Sequence, residues 1–389
     1  MHYFIKIHVD TITQSDCFAK IVLGIFLLAT VIQLAYYLGI YSRTVWLRKK
    51  RNVEPVNEMP PVSIIICARN EQDNLAKNLI PILTQDYPSY EVIVVNDCSE
   101  DDTEELLMDL KKQYPHLRST IIRKSGTFRN GKKFAATVGV KAAQHEWLLF
   151  TDADCVPESP LWIKSMSRHF VDGKSIVLGY GGYMAQDSYL NKWIRYDTCF
   201  IALQYFGFAK AGMTYMGVGR NLAYRRSLFF EHNGFAAHAH ILSGDDDLFV
   251  NQAATRKNVG LEYAPESHTR SVPKKTFREW VWQKSRHVTT SSYYKRGQSF
   301  LLGLEPFSRV LFWTALSVLL IRDIMLWQYI LTIFLLRIII FLSVIGLATK
   351  KFKEQGILPH AVFFDLASPF VYVYVFLMNR ISSKQNKWK

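Results

Sequence analysis

The feature that most constrains this chain is where its apolar residues fall. Cys17 to Tyr41 is almost wholly apolar, broken by Lys20, Thr30 and Gln33. That run is long enough to cross a bilayer, which takes about 20 residues. Three more apolar stretches come late, at Phe307 to Ile321, Ile324 to Ala348 and Ile357 to Met378. Between the first run and the others the apolar residues come in short bursts. Such a division predicts a polar domain held between membrane helices. A polar stretch, residues 1–16, precedes the first run, and no small-residue cleavage site ends it, so it reads as an anchor and not a signal peptide.

The charge pattern agrees with a membrane surface. The net charge is +14, and basic residues cluster beside apolar segments at Arg43 to Arg51, at Thr349 to Lys353 and in the tail 380–389. Clusters of this kind suit anionic lipid. No compact basic domain with a reading element is present, so nucleic acid is not an expected partner. The basic cluster after the first run places the following domain in the cytoplasm. Three later spans would put both termini outside, which the basic tail opposes, so 357–378 reads either as a span or as re-entrant. Arg337, inside an apolar stretch, calls for a partner, with Asp365 and Asp323 as candidates. The five cysteines form no C-x-x-C pair, which fits a reducing compartment without structural zinc or disulfides.

The expected organisation is therefore a polar segment 1–16, an anchor 17–41, a basic and proline-containing linker 42–60, a soluble domain 61–300, a membrane region 301–379 and the tail 380–389. Within the soluble domain, strands are expected at Val62 to Cys67, Glu91 to Val95, Arg118 to Arg123 and Trp147 to Phe150. Helices are expected at Glu71 to Leu83, Asp101 to Gln113 and Gly131 to Gln144. Strand and helix alternating at this spacing predict an α/β fold with a mostly parallel, doubly wound sheet.

Three of the strands end in polar or acidic groups: Ala68-Arg69-Asn70-Glu71, Asn96-Asp97 and Asp152-Ala153-Asp154. In a parallel sheet these ends lie on one edge, where open α/β sheets bind ligands. Asp152 and Asp154 offer hard oxygen ligands at i and i+2, suited to Mg²⁺ or Mn²⁺. An acid after the second strand can accept hydrogen bonds from a nucleobase or ribose. Neither G-x-G-x-x-G nor a P-loop is present. The combination points to a nucleoside-diphosphate site.

The stretch from Pro61 to about His287 resembles the membrane-bound inverting glycosyltransferases of family 2, whose nucleotide-sugar fold is called GT-A. The matching pieces are VSIIICARNE, VIVVNDCSEDDT, GKKFAATVGVKAA, TDADC, GVGRNLAYRRSLF, SGDDDLF and QKSRH, in that order. The resemblance implies that Asp97 contacts the base or ribose and that Asp154 holds the metal. It also implies that the acid block supplies the general base, as Asp246 or Asp247, with Asp245 a weaker candidate. Its further donor-site candidates are Ala68, Asn70, Glu71, Lys132 and Asp152. Gly219, Asn221, Gln283, Arg286 and His287 are candidates for the acceptor and diphosphate. The polysaccharide synthases of this family (poly-N-acetylglucosamine, hyaluronan and cellulose types) carry Gln-x-x-Arg-Trp, and here His287 replaces the Trp. The chain resembles this polysaccharide-synthase branch, which implies transfer from a UDP-sugar to a glycan hydroxyl, as in processive polymer synthesis, with transfer of a single sugar to a lipid acceptor (polyprenyl phosphate or diglyceride) as the alternative. The other implied partners are membrane lipid and, for a polymer, export subunits. A polytopic transporter is the competing class. It would concentrate ionisable residues in the spans, and here they lie mainly in the soluble domain.

Overall fold

The computed structural model describes residues 2–46, 59–123, 131–241, 243–321 and 327–382. Most of the linker, Asp323, residues 324–326 of the expected third span, and the end of the tail lie outside the described residues.

Seven strands form the main sheet: β1 (Val62–Ala68), β2 (Tyr90–Asp97), β3 (Leu117–Ile122), β4 (Trp147–Asp152), β6 (Ile176–Leu178), β8 (Leu222–Arg225) and β9 (Val259–Leu261), in the order β3-β2-β1-β4-β8-β6-β9. β3, β2, β1 and β4 are parallel, β8 runs antiparallel between β4 and β6, and β9 is parallel to β6. Three short strands, β5 (Cys155–Pro157), β7 (Gly181–Tyr183) and β10 (Thr269–Ser271), form a second sheet in the order β5-β10-β7.

The central strands are runs of β-branched residues buried on both faces, as parallel sheets require. Alternate side chains feed two cores. Ile64, Ile66, Val92, Val94 and Leu149 pack with α3 (Gln72–Leu83), α4 (Thr103–Gln113) and α6 (Trp162–Ser167). Ile65, Ile93, Val95 and Leu148 face α5 (Lys132–Ala142) and α7 (Tyr189–Lys210), and this second core runs on into the membrane helices. α5 approaches the sheet closely because it turns small residues inward. A Cβ added at Gly139 would stand 2.6 Å from the Cγ2 of Ile65. Short helices α8 (Arg226–Glu231) and α9 (Asp247–Ala253) follow, and then α10 (Phe277–Val288), which begins at a Thr276/Glu279 capping box.

Among the described residues, four helices are long and apolar enough to cross a membrane. The first is the end of α1 (His2–Leu34), continued through a π-helical segment, Ala35–Tyr41, and α2 (Ser42–Val45). The others are α11 (Arg296–Ile321), α12 (Trp327–Lys351) and α13 (Ala361–Ser382). α11 starts well before the expected Phe307. Its first turns are polar and dock on the soluble domain, where Gln298 bonds the Thr214 carbonyl at 2.9 Å and the Asn251 amide at 2.8 Å. The segment after residue 357 is one helix through Pro369 and Asp365.

Charges close the helical bundle. Arg337 pairs with Asp365 at 2.7 Å and bonds Gln33 at 3.1 Å. Arg309 pairs with Glu305 at 2.6 Å and bonds Ser368 at 2.6 Å. All four charged side chains are buried. Charges in membrane helices face the bundle interior and pair there.

The α12–α13 turn reaches into the soluble domain. Glu354, almost fully buried, accepts from Arg195 of α7 at 2.6 Å and Tyr180 at 2.7 Å, and also from Arg270 of β10. Phe352 stacks on Tyr180, ring centroids 4.4 Å apart.

Candidate active site

The carboxyl ends of β1, β2 and β4 meet the start of α5 and the loop before α9. Ala68 ends β1 and is buried. Asn70 follows with φ +54°, a conformation that Asn tolerates better than most residues. Its side-chain oxygen accepts from the Glu100 amide at 2.8 Å, tying the first two strand ends together. Glu71 is held by Asn74 at 2.5 Å, and burial raises its carboxyl above the usual range. Asp97 ends β2 fully buried, with one carboxylate oxygen lacking any hydrogen-bond partner. Burial raises its pKa.

Lys132, the first residue of α5, joins two of the strand-end and loop acids. Its ammonium lies 2.8 Å from Asp152 and 3.3 Å from Asp245. Burial works against both charges, but the attraction prevails, so Lys132 is held cationic and Asp152 anionic. A cavity here is lined by Lys132, Asp152, Gly219, Asp245 and Asp246 on its polar side.

Asp154 accepts a hydrogen bond from Ser271 of β10 at 2.8 Å. Asp152, Asp154 and Cys155 each place a donor atom within 4.8 Å of the others. The two carboxylates suit a hard divalent cation. The Cys155 thiol, pushed far up by burial, stays protonated and is a poor ligand.

The triple acid divides by environment. Asp245 belongs to Lys132. Asp246 caps α9 and accepts the Gly219 amide at 2.7 Å, and burial, then Asp245 and Asp247, push its pKa up to about 7. A side chain at Gly219 would crowd this carboxylate, its Cβ 3.2 Å from the Asp246 oxygen. Asp247 turns the other way. It accepts from Tyr294 at 2.7 Å, from Thr290, and from the Leu248 amide at 2.8 Å. Both its oxygens are occupied, so it ties α9 to the segment after α10.

α10 brings the last group. Gln283 donates to Tyr183 at 3.2 Å and leaves its carbonyl oxygen unpartnered. Arg286 lies over the Trp282 ring at 4.6 Å with its Nε unpartnered. His287, which follows Arg286, is exposed.

Asn221 is set apart from the cleft. Its amide spends both donors and its acceptor inside the fold, on Tyr180 at 3.0 Å, Ser267 at 2.7 Å and Trp162 at 3.0 Å. Its neighbour Arg220 was not among the expected residues. Arg220 stacks over Tyr183 at 4.3 Å and bonds the Gly181 carbonyl at 2.9 Å, within electrostatic reach of Asp152 and Asp154. The GVGRN motif held it in plain view, but only the three-dimensional approach of Tyr183 marks it.

Known proteins share the fold. A solved mannosyltransferase from Pyrobaculum calidifontis, PcManGT, in complex with GDP-Man and Mn²⁺, superposes with a TM-score of 0.58 over 87% of this chain and 99% of its own, at 18% identity. That likeness shows the GT-A-like fold. Among curated relatives, a probable glycosyltransferase of Bacillus subtilis, YdaM, is 26% identical over 62% of this chain and 57% of its own. The poly-beta-1,6-N-acetyl-D-glucosamine synthase of Staphylococcus epidermidis is 30% identical over 24% of this chain and 22% of its own. The beta-monoglucosyldiacylglycerol synthase of Trichormus variabilis is 31% identical over 32% of this chain and 27% of its own. The matched part thus spans from about a fifth to somewhat over half the length of these relatives. The profile of glycosyl transferase family 21 matches residues 25–389, so the motifs that resemble family 2 are met here within a family 21 pattern. On a match that runs from the first apolar helix through the cleft to the last, the chain belongs to glycosyl transferase family 21.

Proposed function

We propose that this enzyme moves one sugar, with inversion, from a UDP-sugar to the hydroxyl of a membrane lipid, at a cytoplasmic site flanked by four membrane spans. The observation that carries the reading is Asp246. It is a carboxylate with a pKa of about 7, on the wall of a cavity it shares with Lys132 and Asp152. A base poised near neutrality suits proton removal from an alcohol.

In this reading Asp97 and Asn70 receive the nucleoside. Asp154, with Asp152, would hold Mg²⁺ or Mn²⁺, which supplies positive charge to the diphosphate. Lys132, Arg220 and Arg286 line the path of the leaving group and stabilise its developing charge. Asp246 takes the acceptor proton as the hydroxyl oxygen bonds to the anomeric carbon. The bond to the diphosphate breaks on the opposite face.

Two features favour a lipid acceptor over a growing glycan. α10, which carries Gln283, Arg286 and His287, packs along the membrane helix α13, with Phe277 and Tyr374 stacked at 6.4 Å. And among the described residues α11, α12 and α13 are drawn together by buried ion pairs, with α1 joined to them through Gln33, where an export conduit would need a polar gap.

The test uses membranes containing the full chain, a panel of radiolabelled UDP-sugars, and Mn²⁺ or Mg²⁺. A single labelled sugar in the organic phase, abolished by Asp246→Asn, is expected. Long water-soluble polymer would overturn the lipid reading. Absence of metal-dependent transfer from any donor by folded protein would overturn the whole proposal.

A further inference from the structure

One short strand stands between the membrane turn and the candidate cation ligands. β10 is three residues long, antiparallel to β5 on one side and parallel to β7 on the other. Successive side chains of a strand point to opposite faces, so Thr269 and Ser271 share one face and Arg270 takes the other. All three are at least nine-tenths buried.

The face with Thr269 and Ser271 meets the cleft. The Ser271 hydroxyl donates to the Asp154 carboxylate at 2.8 Å, and the Thr269 hydroxyl donates to the Arg220 carbonyl at 2.9 Å. The other Asp154 oxygen meets the Cys155 thiol at 3.4 Å, a weak donor. Among the described residues, Ser271 thus supplies the one short hydrogen bond to Asp154. The opposite face meets the turn after α12. There the Arg270 guanidinium pairs with Glu354, donates to the Phe352 carbonyl at 2.8 Å and lies 3.1 Å from Glu158. The fork passes over Gly182 of β7, where a Cβ would stand 2.2 Å from a guanidinium nitrogen. Bare backbone at that position is what lets the arginine reach the turn.

We infer that Ser271 is a positioning residue for the cation site, and that the membrane turn, through Glu354 and Arg270, holds it in place. The inference rests on the reading of Asp154 as a cation ligand and deepens it. An ionised carboxylate has about four lone-pair positions. The Ser271 hydroxyl takes one of them and leaves the rest for the cation. It fixes which way the carboxylate faces, so less freedom is lost when the ion arrives. Arg270 directly precedes Ser271, and in so short a strand neither shifts without the other. The buried clamp at Glu354 therefore reaches the cation site across a single peptide unit.

The experiment is equilibrium dialysis of the full chain in detergent against Mn²⁺, with UDP on both sides and no sugar donor, so that bound Mn²⁺ is read without turnover. Thermal midpoints are read on the same samples. Ser271→Ala is expected to weaken Mn²⁺ binding about tenfold, the usual loss when a group that orients a metal ligand is removed. Thr269→Val is the control on the same strand. It removes a hydroxyl from the Arg220 carbonyl, which keeps its bond from Thr151 at 3.0 Å, and should hold Mn²⁺ as wild type does. Equal losses in Thr269→Val and Ser271→Ala would make β10 a structural strand only and overturn the inference. Glu354→Gln, and Arg270→Lys, which keeps the buried charge, are each expected to weaken binding about threefold, the low end of coupling within one hydrogen-bonded network. Neither should weaken it further once Ser271 is Ala. Wild-type affinity in both clamp variants, or the same added loss on top of Ser271→Ala, would overturn the link to the membrane turn. Asp154→Asn separates the two levels. If it binds Mn²⁺ as wild type does, the cation-ligand reading falls and the inference with it. If it loses Mn²⁺ while Ser271→Ala does not, the inference alone falls.

Discussion

Two buried clusters of charge lie in this molecule, and they are built to opposite rules. In the membrane helices, two arginines meet two carboxylates. Arg337 lies on Asp365 and Arg309 on Glu305, with Gln33, Ser368 and Trp313 filling remaining positions. The cluster is neutral and closed. In the cleft, Lys132 alone directly contacts Asp152 and Asp245, and Asp246 has no ion-pair partner among the described residues. Atoms of Asp97, Gln283 and Arg286 are left unpartnered there. A closed cluster contributes to which helices pack together. An open one is incomplete until something binds. Burial of charge is thus a poor guide to function, and incomplete pairing a better one.

Substitutions can break that contrast. The largest effect is expected in the cleft. Asp246→Asn should lower the turnover rate by about 10²–10⁴-fold with the thermal midpoint unchanged, because it removes a proton acceptor and no ion pair. Asp247→Asn separates the roles. Its carboxylate is consumed by Tyr294 and Thr290, so it should lose about 1–3 kcal/mol of stability and keep most of its turnover. Equal losses of rate in the two variants, at equal stability, would reverse the assignment.

Next in size is the membrane cluster. Arg337→Ala leaves Asp365 buried beside only part of its compensation and should destabilise by about 3–5 kcal/mol, read by thermal unfolding in detergent. The paired change Arg337→Met with Asp365→Leu should recover most of that loss. If the paired variant is no better than Arg337→Ala alone, the cluster does more than hold helices together.

The smallest effect is on pH dependence. Asp246 has its folded pKa raised to about 7, so it is protonated and unable to accept a proton below that value. The rate of transfer should rise roughly tenfold per unit as pH increases from 5 towards 7, and then level off. A flat profile over this range would remove Asp246 as the base.

Much of this was legible in the sequence. β1, β2 and β4 are unbroken apolar runs that end in polar groups, so both their existence and the edge carrying the site could be read. α4 announced itself with acids in its first turn and lysines in its last. β6, β7, β9 and β10 were not legible, because three-residue strands have no period to detect. The different surroundings of Asp246 and Asp247 were equally hidden. Those of Asp247 include Thr290 and Tyr294, more than forty positions downstream. Asn221 misled for the complementary reason. A polar residue in a glycine-rich motif looks like a ligand group until Trp162, Tyr180 and Ser267 are seen to use it up. The start of α11 was placed late because hydropathy registers only the lipid-facing part of a helix whose opening turns rest on protein.

Glu354 bears on how the chain becomes whole. Arg195 and Arg270 belong to the soluble domain by position, yet the carboxylate they share follows the third of the four apolar helices. A ribosome makes both arginines long before it makes their counter-ion. Until α12 is in place and its turn has swung back, Arg195 lacks this counter-ion and Arg270 has Glu158 alone. Soluble domain and membrane region are separate in the sequence, but as a unit of assembly they are one, and the last piece arrives from the bilayer.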